Sequence, residues 1–451
     1  MKFTADELRN NILSTGNTEN YYKIKGKRYY ISQNGSDNND GLSPESAFAT
    51  PDAIANITLT SGDAVLFERG SYFRITNSIC MESGVTYGSY GEGQKPVIST
   101  SPADYARQTW SQTDKENVWQ ASFNYMPAVG IVFNHGKEFG TLRHSDTVIT
   151  VPKRRWYYEG DVTLKENGEF RHDYNGGIIY LYCDKGNPSA IYDSIEILSD
   201  LTAITAKYKE LENVVVDNLC VKYCGGFAIS IGYSKENITI TNCELGYLGG
   251  RFFSNCRVRY GNAIEFWEGY HNLTVKNNWI YHTYDSAITW QGRAGIPVDN
   301  VVFNQNLLEY NHCDIEFFEY ESLKNFEMNN NIMRFTSSGW GDRSVDCAPR
   351  DDIEGCVRGV FSRLKGTLEN VSFCGNVMYS PAKRIINCPL NEGQLEKIKC
   401  ENNTLYFSPS HRLSDEVILV ELDKPISSSN HEELEKAVSL FDDSMDIKYI
   451  D

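Results

Sequence analysis

The chain has 451 residues, a net charge of −17 and a 41% share of hydrophobic residues. So large an acidic excess argues against a nucleic-acid backbone as partner, and no apolar run approaches the roughly 18 residues of a membrane span. The acidity carries no functional weight by itself, because it is most often a solubility device.

The opening residues 1–28 read as an amphipathic arm or cap. They lack the apolar core and small-residue cleavage site of a secretory signal. Together with twelve cysteines in no zinc-like spacing, this predicts a reducing, cytoplasmic location, or an extracellular one if a leader precedes the sequence.

Residues 29–105 read as the first turns of a stacked β structure. A strand begins at Tyr29-Tyr30-Ile31 and runs into a turn-rich loop, 33–41. A short helix is predicted over 46–56, with Thr50 as N-cap and Pro51 at its first position. Residues 106–200 alternate in strand fashion around Trp110, Trp119, Trp156 and Tyr180, and predict a β-rich insertion packed on the early turns.

Residues 201–410 carry the most informative pattern. Seven segments open on Asn or Lys, alternate apolar with polar residues, and close on Asn. They start at Asn213, Asn237, Asn272, Asn300, Asn325, Asn370 and Lys397, most of them about 24–28 residues apart. Alternation is strand periodicity, and strands this short bury an apolar face only by stacking at about 4.8 Å. The recurring Asn242, Asn277, Asn330 and Asn402 are expected to form a side-chain ladder with no chemical role. From 411 a strand, 417–422, and a helix, 430–440, are predicted to cover the last coil.

Each repeat contains a second strand: 228–231, 263–266, 287–290 and 314–317. Aligning their Ile residues inward turns Ser230, Glu265, Thr289 and Glu316 outward, with Asp314 and Asp285 on the same surface. Glu265 and Glu316 then stand two coils apart, roughly 9–10 Å between backbones. Such a spacing suits an inverting glycosidase, whereas a pairing of either with Asp285 suits a retaining one. Glu265, Asp285 and Glu316 are the candidate catalytic residues. Trp267, Trp290 and Trp340 are candidate aromatic faces for a sugar, and Asp314, Arg259, His282, Arg293, His312 and Arg343 candidate polar contacts. Core packing competes as the reading for Trp267 and Trp290. Extra residues at 249–260 and 336–358 flank this column, as insertions on the binding face of a solenoid do.

The segment Tyr30-Ile-Ser-Gln-Asn-Gly-Ser-Asp-Asn-Asn-Asp-Gly-Leu-Ser-Pro44, with Tyr87-Gly-Ser-Tyr-Gly-Glu-Gly-Gln-Lys-Pro96, resembles the N-terminal turns of the right-handed parallel β-helix (pectate-lyase-like) carbohydrate-active superfamily. In look the chain comes closest to its bacterial glycoside hydrolases of xylosidase or fucosidase type. The resemblance implies an all-β, single-stranded right-handed parallel β-helix with an N-terminal cap, an insertion and a C-terminal capping segment. It implies an oligosaccharide substrate and no cofactor. Calcium is a third reading of the carboxylates, since pectate lyases hold it with such clusters, but no specific motif points to it. The catalytic motifs of polygalacturonases, the commonest pectate lyases and alginate epimerases are missing, so no catalytic residue carries over. The expected activity is glycoside hydrolysis. A polysaccharide lyase acting on uronic-acid glycans and a non-catalytic glycan-binding solenoid are the alternatives; the oligomeric state is left open.

Overall fold

The structure, a computed structural model, describes residues 3–152, 155–207, 209–232, 236–253, 255–256, 258–292, 296, 298–318, 322–343, 355–360, 367–379, 384–387, 395–407 and 431–450. Three long parallel sheets wind around one axis. The first runs through ten described strands from Arg28–Ile31 to Ile398–Glu401, the second through ten from Tyr72–Arg74 to Asp446–Tyr449. The third runs through eight, from Ile79–Cys80 to Arg384–Asn387. One coil gives one strand to each, as Glu212–Asp217, Cys220–Cys224 and Ile229–Gly232 do in succession. This is the parallel β-helix that the repeat predicts. Its axis is filled by Val214, Val216, Ile238, Ile240, Leu273, Val275, Val301 and Phe303 from the first sheet, facing the Ile column of the third.

Asparagine does two different jobs at the turn from the first sheet to the second. Asn218, Asn242, Asn277, Asn330 and Asn402 adopt φ between 55° and 62°, the left-handed region that Asn tolerates better than other residues with a Cβ. From Asn277 onward the residue after each such turn, including the turns at Gln305 and Gly375, is an inward Asn, and these form the long ladder. Asn278, Asn306, Asn331, Asn376 and Asn403 are wholly buried, and each Nδ2 donates to the next Oδ1 at 3.0–3.1 Å. Asp442 ends the run by accepting from Asn403 Nδ2 at 2.8 Å. The expected ladder is therefore one residue out of place along most of its length. Of the four predicted members only Asn242 and Asn277 bond each other, at 2.8 Å. The segment-opening Asn213, Asn237, Asn272 and Asn300 form a second, exposed ladder.

The terminal pieces depart from expectation in instructive ways. The predicted helix at 46–56 is two 3-10 turns, Pro44–Ser46 and Pro51–Asn56. Thr50 is held by Asp37, which accepts its N–H at 2.8 Å and its hydroxyl at 2.7 Å, rather than capping with its own side chain. Ala53 and Ile54 nevertheless close the axial core. The helix Ala5–Leu13 lies along the flank, not across the end. Its Leu8 and Ile12 pack on Leu307 and Ile332, and Arg9 bonds Glu309 through both carboxylate oxygens at 3.0 and 3.1 Å. At the other end the helix His431–Phe441 sets Val438 and Phe441 against the core. The strand predicted at 417–422 lies outside the described residues. No described helix is long and apolar enough to cross a membrane.

Residues 106–200 form mainly antiparallel sheets, including the hairpin Thr147–Val151 with Arg155–Glu159. Their core extends beyond the early coils to Tyr223, Phe252, Tyr284 and Trp340 of the middle coils. That placement brings the insertion over the second sheet and the turns and loops that lead from it to the third.

Candidate functional site

The third sheet sets the site by register. Ser230 pairs with Glu265, Glu265 with Thr289, Thr289 with Glu316, and Glu316 with Arg358. The side chains of Ser230, Glu265, Thr289 and Glu316 form one outward column, because Ile264, Phe266, Ile288, Trp290, Ile315 and Phe317 on alternate positions fill the core. Each glutamate is held by a hydroxyl from the coil before it. Ser230 Oγ donates to Glu265 Oε2 at 3.0 Å and Thr289 Oγ1 donates to Glu316 Oε2 at 2.8 Å.

Burial pushes the Glu265 carboxyl up to about 8, against the pull of nearby Arg251 and of hydrogen bonds from Ser230 and the Trp267 side chain. Glu265 is therefore a protonated acid near neutral pH. Asp314 is likewise pushed up to about 8 by burial, opposed by bonds from Thr336 and Asn311. Exposure separates the two. Asp314 shows none, while Glu265, Asp285 and Glu316 keep 3%, 7% and 6%.

Both acids carry raised folded-state pKa values, so each unfolded carboxyl releases its proton first as pH rises from about 4. Their contribution to stability is full below the unfolded values of 4.5 and 3.8 and is lost towards pH 8. Glu265→Gln removes one such group. Its unfolding free energy, measured in urea, is expected to gain on the wild type between pH 5 and pH 8, by on the order of 1 kcal/mol per pH unit. Parallel pH dependence of the two proteins would contradict the buried acid.

The long loop after the second sheet forms a hairpin of Arg251–Phe253 with Val258–Tyr260. Gly261 closes its base, where a Cβ would come within 2.4 Å of Gly249 Cα. Strand parity splits its two arginines. Arg259 and Phe252 pair on the face that enters the insertion core, whereas Arg251, Phe253, Val258 and Tyr260 share the other face. Arg251 approaches Glu265 electrostatically and packs over Phe227 at 4.6 Å, against a Gly226 that leaves room for its guanidinium. Its Nε donates to Asp200 Oδ1 at 2.9 Å. Arg155, from the insertion, stands 4.0 Å from the other oxygen of Asp200. Phe253, Val258 and Trp267 are 51%, 47% and 38% exposed, which leaves an apolar rim at the surface.

Several predicted contacts belong to the architecture instead. Trp290 is an axial core residue against Phe317 and Phe326. Trp340 is buried under the insertion, its Nε1 donating to Leu248 O at 2.9 Å. Arg259 donates to Gly250 O at 2.9 Å and to Val129 O, and stacks with Phe252, Tyr284 and Trp340. His282 lies between Tyr247 and Tyr310 in a column of stacked rings on the flank, with centroids 5.3 and 4.9 Å away. Asp314 and His312 are wholly buried, the former held by Asn311 and Thr336. Arg293 and the Arg343 side chain lie outside the described residues. Asp285 sits in the turn before Ser286–Gln291, its carbonyl accepting from Thr283 Oγ1 at 2.9 Å and Cys313 N at 3.3 Å. Glu265, Glu316 and Trp267 keep the predicted surface, and Asp285 stands in the turn that leads into the intervening strand, 7% exposed. Arg251, Asp200 and Arg155 join it without having been anticipated. The one signal for Arg251 was its place in the overlong loop; Asp200 and Arg155 reach the site only by folding of the insertion. Among the described residues no group of three or more His, Cys, Asp or Glu is arranged to hold a metal.

No family model matches the chain, and no curated protein matches it in sequence. Solved structures do match in shape. XylC in complex with xylose aligns at 12% identity and TM-score 0.52, over 84% of this chain and 66% of that one, just under two thirds of its length. A glycoside hydrolase aligns at 10% identity and TM-score 0.47, over 86% of this chain and 90% of that chain. A lacto-N-biosidase from Eubacterium ramulus aligns at 12% identity and TM-score 0.36, over 96% and 69%. The likeness to XylC and the parallel sheets together establish the right-handed parallel β-helix.

Proposed function

We propose that the chain is a glycoside hydrolase acting on oligosaccharides, with Glu265 as general acid and Glu316 as general base. The observation that carries this reading is the register that puts the two glutamates on one outward column, two coils apart, with one of them protonated near neutral pH. Because both are drawn towards the preceding coil by a hydroxyl, their separation follows the backbone spacing of roughly 9–10 Å. That distance leaves room for a water between base and anomeric carbon, as inversion requires. Glu265 then gives its proton to the glycosidic oxygen, and Glu316 takes one from the attacking water. Asp285, on the intervening coil, adds negative charge beside the developing oxocarbenium ion.

The test is a panel of oligosaccharides, beginning with xylose-containing ones because XylC was solved with xylose. Product configuration is read by NMR in the first minutes. Inversion is expected. Retention would move the nucleophile to Asp285, and an unsaturated product absorbing in the ultraviolet would replace hydrolysis with elimination. Binding without turnover would leave a glycan-binding solenoid.

Trp267 lies two residues beyond Glu265 on the same face and offers an exposed ring for sugar stacking. Trp267→Ala is expected to raise KM about tenfold with a smaller change in kcat. Trp267→Phe keeps the ring and loses the N–H that lowers the Glu265 pKa. Its activity should therefore persist to higher pH than the wild type, which a pH–rate profile measures directly.

A further inference from the structure

Beside Glu265, three polar atoms are buried and complete no hydrogen bond: Asp200 Oδ2, Arg251 Nη2 and Arg155 Nε. Two of their side chains are almost fully enclosed, Asp200 at 1% and Arg251 at 2% exposure, while Arg155 at 25% reaches towards solvent. Buried polar groups in folded proteins are nearly always paired, so a cluster left open calls for a partner. The cluster is not self-sufficient. Arg251 gives Asp200 Oδ1 one hydrogen bond, from Nε at 2.9 Å; its Nη2 lies 2.8 Å from the same oxygen without completing a second, and Oδ2 is left with Arg155 at 4.0 Å, beyond hydrogen-bond length. Tyr260, Phe253 and Trp156 continue outward from it in edge contacts of 5.7 and 5.8 Å, and so form an apolar wall leading to the surface.

The open atoms are one acceptor and two donors. A carboxylate ligand has only acceptors and would satisfy the guanidiniums while leaving Asp200 Oδ2 unpaired beside a like charge. A hydroxyl both donates and accepts, and two adjacent hydroxyls satisfy all three atoms. The charges agree. Even with Glu265 protonated, Asp200, Asp285 and Glu316 outnumber Arg155 and Arg251 among the described side chains around the site, so an added carboxylate would meet a surplus of acids. Resting on the hydrolase reading of the same site, we propose that Asp200, Arg251 and Arg155 form a hydroxyl-binding corner that selects a neutral sugar ring presenting adjacent hydroxyls, and rejects a uronate. Asp200 and Arg155 come from the insertion and Arg251 from the long hairpin. Specificity for the ring is thus supplied by segments laid over the β-helix, while the acid and base come from the helix itself.

The experiment is calorimetric titration of the full chain with matched sugars differing only at C6: galactose and galacturonate, glucose and glucuronate, mannose and mannuronate disaccharides, with xylobiose as a further neutral probe. At least one neutral member is expected to bind at least tenfold more tightly than its uronate. Asp200→Asn, which turns one acceptor oxygen into a donor at constant shape, should weaken that binding tenfold or more. Arg155→Gln, at a partly exposed position, should weaken it severalfold with the melting temperature unchanged, so the proposal does not depend on Asp200→Asn folding. Tighter binding of the uronates, no binding of any neutral member, or neutral binding untouched by Asp200→Asn and Arg155→Gln would each overturn it. The two readings fail separately. Neutral sugars bound through Asp200 but never cleaved would remove the hydrolase and leave the corner. Neutral glycans cleaved equally well by Asp200→Asn would remove the corner and leave the hydrolase.

Discussion

Glu265→Gln and Glu316→Gln are each expected to lower kcat on an unactivated oligosaccharide by about 10³-fold, within the range that a positioned acid or base contributes. KM should change little, because a neutral amide of the same shape keeps the bonds to Ser230 and Thr289 available. Leaving-group dependence tells the two apart. An aryl glycoside whose phenolate departs without protonation needs no acid, so it should restore most of the rate to Glu265→Gln and none to Glu316→Gln. The pH profile supplies a second handle. In the wild type, activity should fall as pH rises through about 8, where Glu265 loses its proton. Glu265→Gln should lack that alkaline limb on the aryl substrate. Full turnover by Glu316→Gln on a natural glycan would remove the base from Glu316 and with it the inverting assignment.

The column was legible in the sequence because its register follows from a period of two. Once the Ile residues are aligned inward, Ser230, Glu265, Thr289 and Glu316 must fall on the other face, and the strand pairing has them there. The same rule already separates Trp267 from Trp290. Each is one step along from an aligned residue, but Trp267 stands at an odd offset from inward Phe266 and Trp290 at an even offset from inward Ile288. Applied strictly, parity would have sent Trp290 to the core. It could not have chosen Arg251 over Arg259. That choice depends on the pairing of Arg251 with Tyr260 across a hairpin whose turn carries no strong signal. Nor could it have placed Asp200 and Arg155, whose distance from Glu265 is set by packing of the insertion on Tyr223, Tyr284 and Trp340 rather than by any local period. The asparagines show a subtler limit. An Asn-Asn pair at a turn gives one residue to the left-handed corner and one to the interior, and periodicity alone does not say which is which.

Asn306→Leu is the substitution expected to cost most in stability, about 4 kcal/mol or more. The side chain is wholly buried. Its Oδ1 accepts from Asn278 N at 3.1 Å and Asn278 Nδ2 at 3.0 Å, and its Nδ2 donates to Val275 O at 3.0 Å and Asn331 Oδ1 at 3.1 Å. Leucine fills the volume but leaves the Asn278 donors and the Val275 carbonyl without these partners. A buried group left unsatisfied costs about 1–3 kcal/mol. Asn300→Gly, in the exposed ladder, breaks a similar amide bond where water can replace it, at a φ of 57° that Gly adopts without strain, and should cost about 1 kcal/mol or less. Denaturant midpoints of the two variants measure the contrast, and equal losses would show that the buried ladder is not the stronger tie. The consequence for activity follows from position. Asn278 precedes the strands that carry Thr289, and Asn306 precedes those that carry Glu316. A solenoid is stabilised mainly between neighbouring coils. Loosening the tie between these two coils disturbs the spacing of Glu265 and Glu316 before the chain unfolds. Asn306→Leu should therefore lose kcat at temperatures well below its melting point, although Asn306 touches no part of the site.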